Sequence, residues 1–198
     1  MPRVGWLILL LLFSPRVLSA HTPGGETLGF ISGLMHPVSG LDHVLAMIAV
    51  GLWGAQLGAP AIWLLPVTFP VVMAFGGMLA LMGVRLAGIE IGIALSAVAL
   101  GFVVFREIKP PLWFAAALVA AFAIFHGHAH GTELPAGANG LLYSIGFVVA
   151  TGTLHACGIA LGLAHRWPSG RTALRATGGV VAVAGCVFLY RAVAGGTL

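Results

Sequence analysis

From Leu41 to Ala194 the chain is a succession of long apolar runs, separated by short breaks that hold most of its charges. The runs read as Leu41 to Leu57, Ala61 to Val84, Leu86 to Phe105, Pro111 to His126, Ala138 to His165 and Leu174 to Ala194. A helix that crosses a bilayer takes about 20 predominantly apolar residues. Lipid offers the backbone no hydrogen-bond partners, so only helices and closed barrels cross it. These runs are continuous and lack the alternation of a barrel strand. The expected fold class is therefore all-α, a polytopic membrane helix bundle of about six transmembrane helices. Composition agrees: 60% of residues are hydrophobic and 7% charged, against roughly 25% charged in soluble domains. Mean hydropathy is +1.07.

The first residues belong to a different element. Arg3 is a positive start, Leu7 to Phe13 is a short apolar run, Ser14-Pro15 interrupts it, and Leu18-Ser19-Ala20 ends on a small residue. This is the layout of a signal peptide, expected over residues 1–20 with cleavage after Ala20. Residues 21–198 then form the transmembrane helical domain. A short apolar stretch, Thr27 to Met35, precedes the first span and is interrupted by His36-Pro37. Gly88/Gly92 and Gly158/Gly162 are small-xxx-small pairs that let helices approach closely. Cys157 and Cys186 lie inside apolar runs, no CxxC is present, and both read as helix-packing residues rather than a disulfide. Nine Lys/Arg stand against five Asp/Glu. The basic residues occur singly between apolar runs, without an aromatic-interleaved patch, so no nucleic-acid partner is expected.

Charge also orients the chain. With the mature N-terminus outside, Arg106, Lys109, Arg166, Arg171 and Arg175 face the cytoplasm and only Arg85 and Arg191 lie outside, as the positive-inside rule asks. The expected location is a bacterial-type cytoplasmic membrane. The same topology gathers His21, His36, Asp42, His43, Glu90, His126, His128, His130 and Glu133 at the outer end, with His155 within the fifth span and His165 at its inner end.

Spacing narrows the candidates. A helix turns about 100° per residue, so His36 and His43 align if the helix is continuous. Pro37 instead allows a break that holds His36 beside the next turn. Asp42 either ligates directly or orients an imidazole. His126 and His130 share a face, Glu133 follows, and Gly127 and Gly131 suggest fraying there, with an external stretch from Gly127 to Gly137. Imidazole with carboxylate suits borderline divalent metals. The metal candidates are His36, Asp42, His43, His126, His130 and Glu133, with His21, His128, His155 and Glu90 as further ones. Ionisable groups are costly in membranes, which favours function over packing. The alternatives are a solvated loop for His126 to Glu133 and a capping role for Asp42.

The segment His36 to Met47, HPVSGLDHVLAM, resembles the HPxxGxDHxLAM signature of the HupE/UreJ family, and Phe125 to Glu133, FHGHAHGTE, resembles its FHGxAHGxE signature. The resemblance implies a secondary permease for Ni2+, or for Co2+ in some relatives, supplying hydrogenase or urease. It implies functional roles for His36, Asp42, His43, His126, His130 and Glu133, while His128 falls on an open position. The expected partners are the divalent cargo, the bilayer and metal-accepting maturation proteins, with no tightly bound cofactor. No Walker A sequence is present, nor an HExxH or GxSxG motif, so the protein is expected not to be an enzyme. A non-transporting metal sensor or accessory subunit and an intramembrane metal-dependent hydrolase are the rival classes.

Overall fold

The structure is a computed structural model, and it describes residues 25–132 and 139–195. The expected signal peptide, His21 and Glu133 lie outside the described residues. Those described form helices α1 (Gly25–Ser39), α2 (Leu41–Leu57), α3 (Ala61–Leu81), α4 (Ile89–Arg106), α5 (Leu112–Thr132), α6 (Gly140–Gly162) and α7 (Pro168–Val193), with a short 3-10 turn at Leu163–Arg166 between the last two. Five of them, α3 to α7, are long and apolar enough to cross a membrane, and α1 with α2, bent by 82° at a short break, is long and apolar enough as a pair, which gives five to six spans. The chain is a multi-pass membrane helix bundle.

The break falls at Gly40, not at Pro37. Pro37 sits in the last turn of α1, where its missing N–H costs a single intrahelical bond. The Ser39 hydroxyl covers the His36 carbonyl (2.6 Å). Gly40 is extended (φ −100°, ψ 115°), and α2 restarts where the Val44 N–H reaches the Gly40 carbonyl (3.0 Å). The short stretch before the first run is thus a packed helix of its own.

Both halves of the broken span lie on α6, and glycine makes this possible. A methyl group built on Gly33 would overlap the Tyr143 carbonyl, and one on Gly146 the Phe30 carbonyl. Farther along, Gly51 meets the His155 carbonyl and Gly158 the Ile48 carbonyl. The same contact recurs between α3 and α5, where Gly127 lies on Met73, and between α4 and α7, where Gly101 lies on Ala182. Lipid is as apolar as leucine, so close packing holds these helices together where hydrophobic burial cannot. Gly158 and Gly162 act as their spacing suggests, whereas Gly88 caps α4 in the left-handed region (φ 69°). Cys157 and Cys186 are both exposed and free. They do not pack between helices as expected, because their positions fall on the outer faces of α6 and α7.

Several boundaries move. The fourth run continues as helix to Thr132, through the glycines expected to fray it, because Gly127 and Gly131 pack on α3 and gain more from contact than they cost in helix propensity. The third begins at Ile89, after turns with Gly83 and Gly88 at positive φ. The last begins at Pro168, whose ring suits a first helical position. Asn139 starts α6 by accepting from the Leu141 and Leu142 N–H groups at 3.1 Å.

The starts of α2, α4 and α6 share one end of the bundle with the ends of α3, α5 and α7. At the opposite end the Trp53 indole N–H donates to the Ile108 carbonyl (2.9 Å), and Gln56 donates to the Val104 carbonyl (3.2 Å). There Arg171 grips Glu107 through Nε (2.6 and 2.8 Å) and through Nη2.

Gly158→Val is expected to cost about 1–3 kcal/mol through overpacking and to lower the melting temperature in detergent. Gly152→Ala meets nothing within 4 Å and should leave it unchanged or slightly raised. Equal behaviour of the two variants would remove glycine contact as the packing device. The Arg171 bond holds the Glu107 carboxyl below its ordinary value of 4.5. Its stabilising contribution is therefore complete above pH 4.5 and is lost as pH falls through the lowered value. Glu107→Gln should flatten the acid limb of the stability curve, and a curve identical to the parent's would exclude the tie as its source.

Candidate functional site

The bend at Gly40 and the straight end of α5 bring four imidazoles together. His36 from α1 and His43 from α2 approach His130 of α5 with ring centroids at 4.8 and 4.5 Å. His43 also stands edge to face with His126 at 4.6 Å. His36 and His43 thus converge through the bend rather than by sharing one helical face. They lie at a cleft of about 880 Å³ whose lining includes Asp42, Glu90, Ile93 and Arg191. Tyr143 and Phe147 of α6 wall the cluster, with Phe147 at 4.5 Å from the His130 ring and Tyr143 at 5.7 Å from His36.

Hydrogen bonds fix two of these rings. Asp42 Oδ1 accepts from the His43 backbone N–H and from His43 Nδ1, both at 2.9 Å. A carboxylate is an acceptor, so Nδ1 carries the proton and Nε2 the lone pair. The Ser96 hydroxyl donates its single proton to the Ile93 carbonyl (2.6 Å), so it accepts from His126 Nε2 at 2.9 Å. His126 therefore keeps its lone pair on Nδ1. His43 Nε2 and His126 Nδ1 are buried and have no hydrogen-bond partner in the protein. A buried acceptor left without a donor is costly, and a neutral imidazole lone pair is what a borderline divalent ion binds.

Asp42, open between two roles from the sequence, is here the orienting group of His43. It sits in the first turn of α2, where a negative charge also suits the helix dipole. His128 is buried but outside the cluster: its Nε2 donates to the Val84 carbonyl (2.7 Å) and ties α5 to the end of α3. Glu90 is exposed and lines the cleft. His155 is buried deeper along α6, and His165 makes a local bond to the Gly162 carbonyl (2.8 Å). Among the described residues no three His, Cys, Asp or Glu side chains are arranged to hold one metal ion together. The imidazoles form a chain of neighbouring rings packed edge to face or tilted, not a closed cage.

Ser96, Phe69, Tyr143 and Phe147 were not singled out from the sequence. Ser96 carried a signal, as a lone hydroxyl in an apolar span. Phe69, fully buried between His126 (5.3 Å) and His155 (5.5 Å), carried none among eleven phenylalanines. In nitrogen NMR of histidine-labelled protein, His43 Nε2 and His126 Nδ1 should show the shifts of unprotonated ring nitrogens, and Ser96→Ala should disturb His126 alone. The opposite tautomer at either ring would contradict the bonding scheme.

The comparisons with known proteins cover nearly the whole chain. A family model described as HupE / UreJ protein matches residues 8–188. Protein HupE of Rhizobium leguminosarum bv. viciae is 45% identical over 175 residues, which cover 88% of this chain and 91% of that protein. No solved structure matches the chain. The two matches span both histidine segments and nearly the whole helix bundle, and the chain belongs to the HupE/UreJ family.

Proposed function

We propose that the protein is a secondary permease that imports a divalent transition metal, Ni2+ foremost, across the cytoplasmic membrane for maturation of a metalloenzyme such as hydrogenase or urease. Membership of the HupE/UreJ family supports a nickel/cobalt transport-associated role. The observation that carries the reading further is the pair of buried, unpartnered lone pairs on His43 Nε2 and His126 Nδ1, on rings whose centroids are 4.6 Å apart, with His43 at the cleft and His126 buried behind it. The metal is cargo. Conduction requires sites that bind well enough to admit an ion and weakly enough to release it, and a chain of rings with centroids 4.5–4.8 Å apart offers successive partial sites.

In this mechanism the cleft admits the hydrated ion, and Asp42 holds His43 with its lone pair inward. Ser96 does the same for His126, and the ion exchanges water for imidazole one ligand at a time. His36, His130 and, outside the described residues, Glu133 complete the outer set. With the cleft facing the periplasm, an inside-negative potential supplies about 2.3 kcal/mol per charge per 100 mV. A divalent ion thus gains about 4.6 kcal/mol, a roughly thousandfold accumulation without ATP.

Uptake of radioactive nickel into proteoliposomes tests this. Uptake should rise with an inside-negative potential and be lost in His43→Ala. Ser96→Ala should weaken Ni2+ binding by about ten- to a hundredfold, the usual effect of removing a group that orients a ligand. Parental uptake by His43→Ala would sink the site. Tight binding without flux in the parent would place the protein among accessory or sensor proteins.

A further inference from the structure

The cleft and its four imidazoles do not account for His155. It lies on α6 twelve residues beyond Tyr143, about 18 Å further along the helix axis, at 2% exposure. Neither ring nitrogen has a well-formed hydrogen bond. The polar group it faces is the carbonyl of Pro66. That carbonyl has no intrahelical donor: its partner in α3 would be residue 70, a proline with no N–H. One turn before His155 on the same face of α6 is Thr151, fully buried, with its hydroxyl also unpartnered. An imidazole and a hydroxyl without a well-formed hydrogen bond, beside a helix carbonyl that lacks its intrahelical donor, therefore lie along a membrane-buried part of the bundle. Ionisable groups in such places are expensive and mark ion pathways.

The Phe69 ring separates this region from the outer cluster, since it packs on His126 on one side and His155 on the other. We propose that His155 is a second, inner metal-binding station on the translocation path, with the Phe69 ring as the partition between it and the outer imidazole cluster. The inference rests on the permease reading for its role in flux, but the station itself is a binding site that exists with or without transport. An ion that leaves His126 passes the edge of Phe69 and finds an imidazole nitrogen, with the Pro66 carbonyl and the Thr151 hydroxyl as oxygen donors of the kind that replace lost hydration. Without such a station the ion would cross this stretch bare of ligands.

The test pairs Ni2+ titration of the purified, detergent-solubilised protein with nickel uptake into proteoliposomes, for the parent and His155→Ala. Expected are one bound equivalent fewer, an unchanged affinity at the outer cluster, and uptake reduced by about tenfold or more, as for loss of a metal-site residue. Parental stoichiometry overturns the station, and uptake at the parental rate overturns its place on the translocation path. Loss of outer affinity together with uptake also overturns it, because His155 would then only support the fold. If the alanine variant is not recovered folded, His155→Gln takes its place, since it keeps a donor for the Pro66 carbonyl. If the parent itself shows no flux, the permease reading fails and stoichiometry alone decides: a lost equivalent upholds the station and an unchanged count ends it.

Discussion

Gly33 with Gly146, and Gly51 with Gly158, let α1 and α2 lie backbone to backbone on the single helix α6. Two helices bent by 82° from each other can share one support only if each crosses it closely, and a side chain at any of these glycines would lift one of them away. The bend sets the site. It brings His36 from one helix and His43 from the next against the same ring, His130. α5 reaches that point because Gly127 and Gly131 sit on α3, which keeps it helical through its histidines. The chemistry at the cleft is thus a consequence of contacts between glycines and carbonyls a turn or more away.

Burying imidazoles in a membrane protein is tolerable when they are neutral and at least one nitrogen is bonded. Asp42 and Ser96 do this for His43 and His126 by different means. The carboxylate accepts outright, whereas the serine is forced to accept because its one proton is committed to Ile93. Both leave a lone pair directed away from the anchoring group. Two unpartnered buried acceptors are costly, and such polarity concentrates where ligands bind.

The span pattern was legible because the bilayer's demand for long apolar helices leaves so few alternatives, and α2 was expected at Leu41 to Leu57, where it lies. The convergence of both histidine segments at one end followed from counting spans. What the sequence did not reveal depends on long-range contacts. Helix propensity argues that Gly127 and Gly131 end α5, but packing against Met73 and Gly77 overrides it. The turn at Gly40 was masked by the more conspicuous Pro37. Asp42's role needed the rotamer that places Oδ1 on its neighbour's ring, and His128 looked like a cluster member until its Val84 bond tied it elsewhere. Phe69 is invisible as a site residue because an aromatic in an apolar helix is ordinarily just packing.

The two ends of the bundle differ in a way that bears on direction. Asp42 and Glu90 stand at the imidazole end, while the far end presents Arg106, Lys109, Arg166, Arg171 and Arg175. Among the described side chains the carboxylate at that far end is Glu107, and Arg171 already engages both its oxygens. A divalent cation arriving there finds cationic groups and a neutralised acid, whereas the other end offers carboxylate and buried lone pairs. Capture at one end and poor retention at the other need no moving part to bias which end first meets the ion. In the proposed orientation the basic loops lie in the cytoplasm, and the same charges would then stand where the proposed cargo leaves.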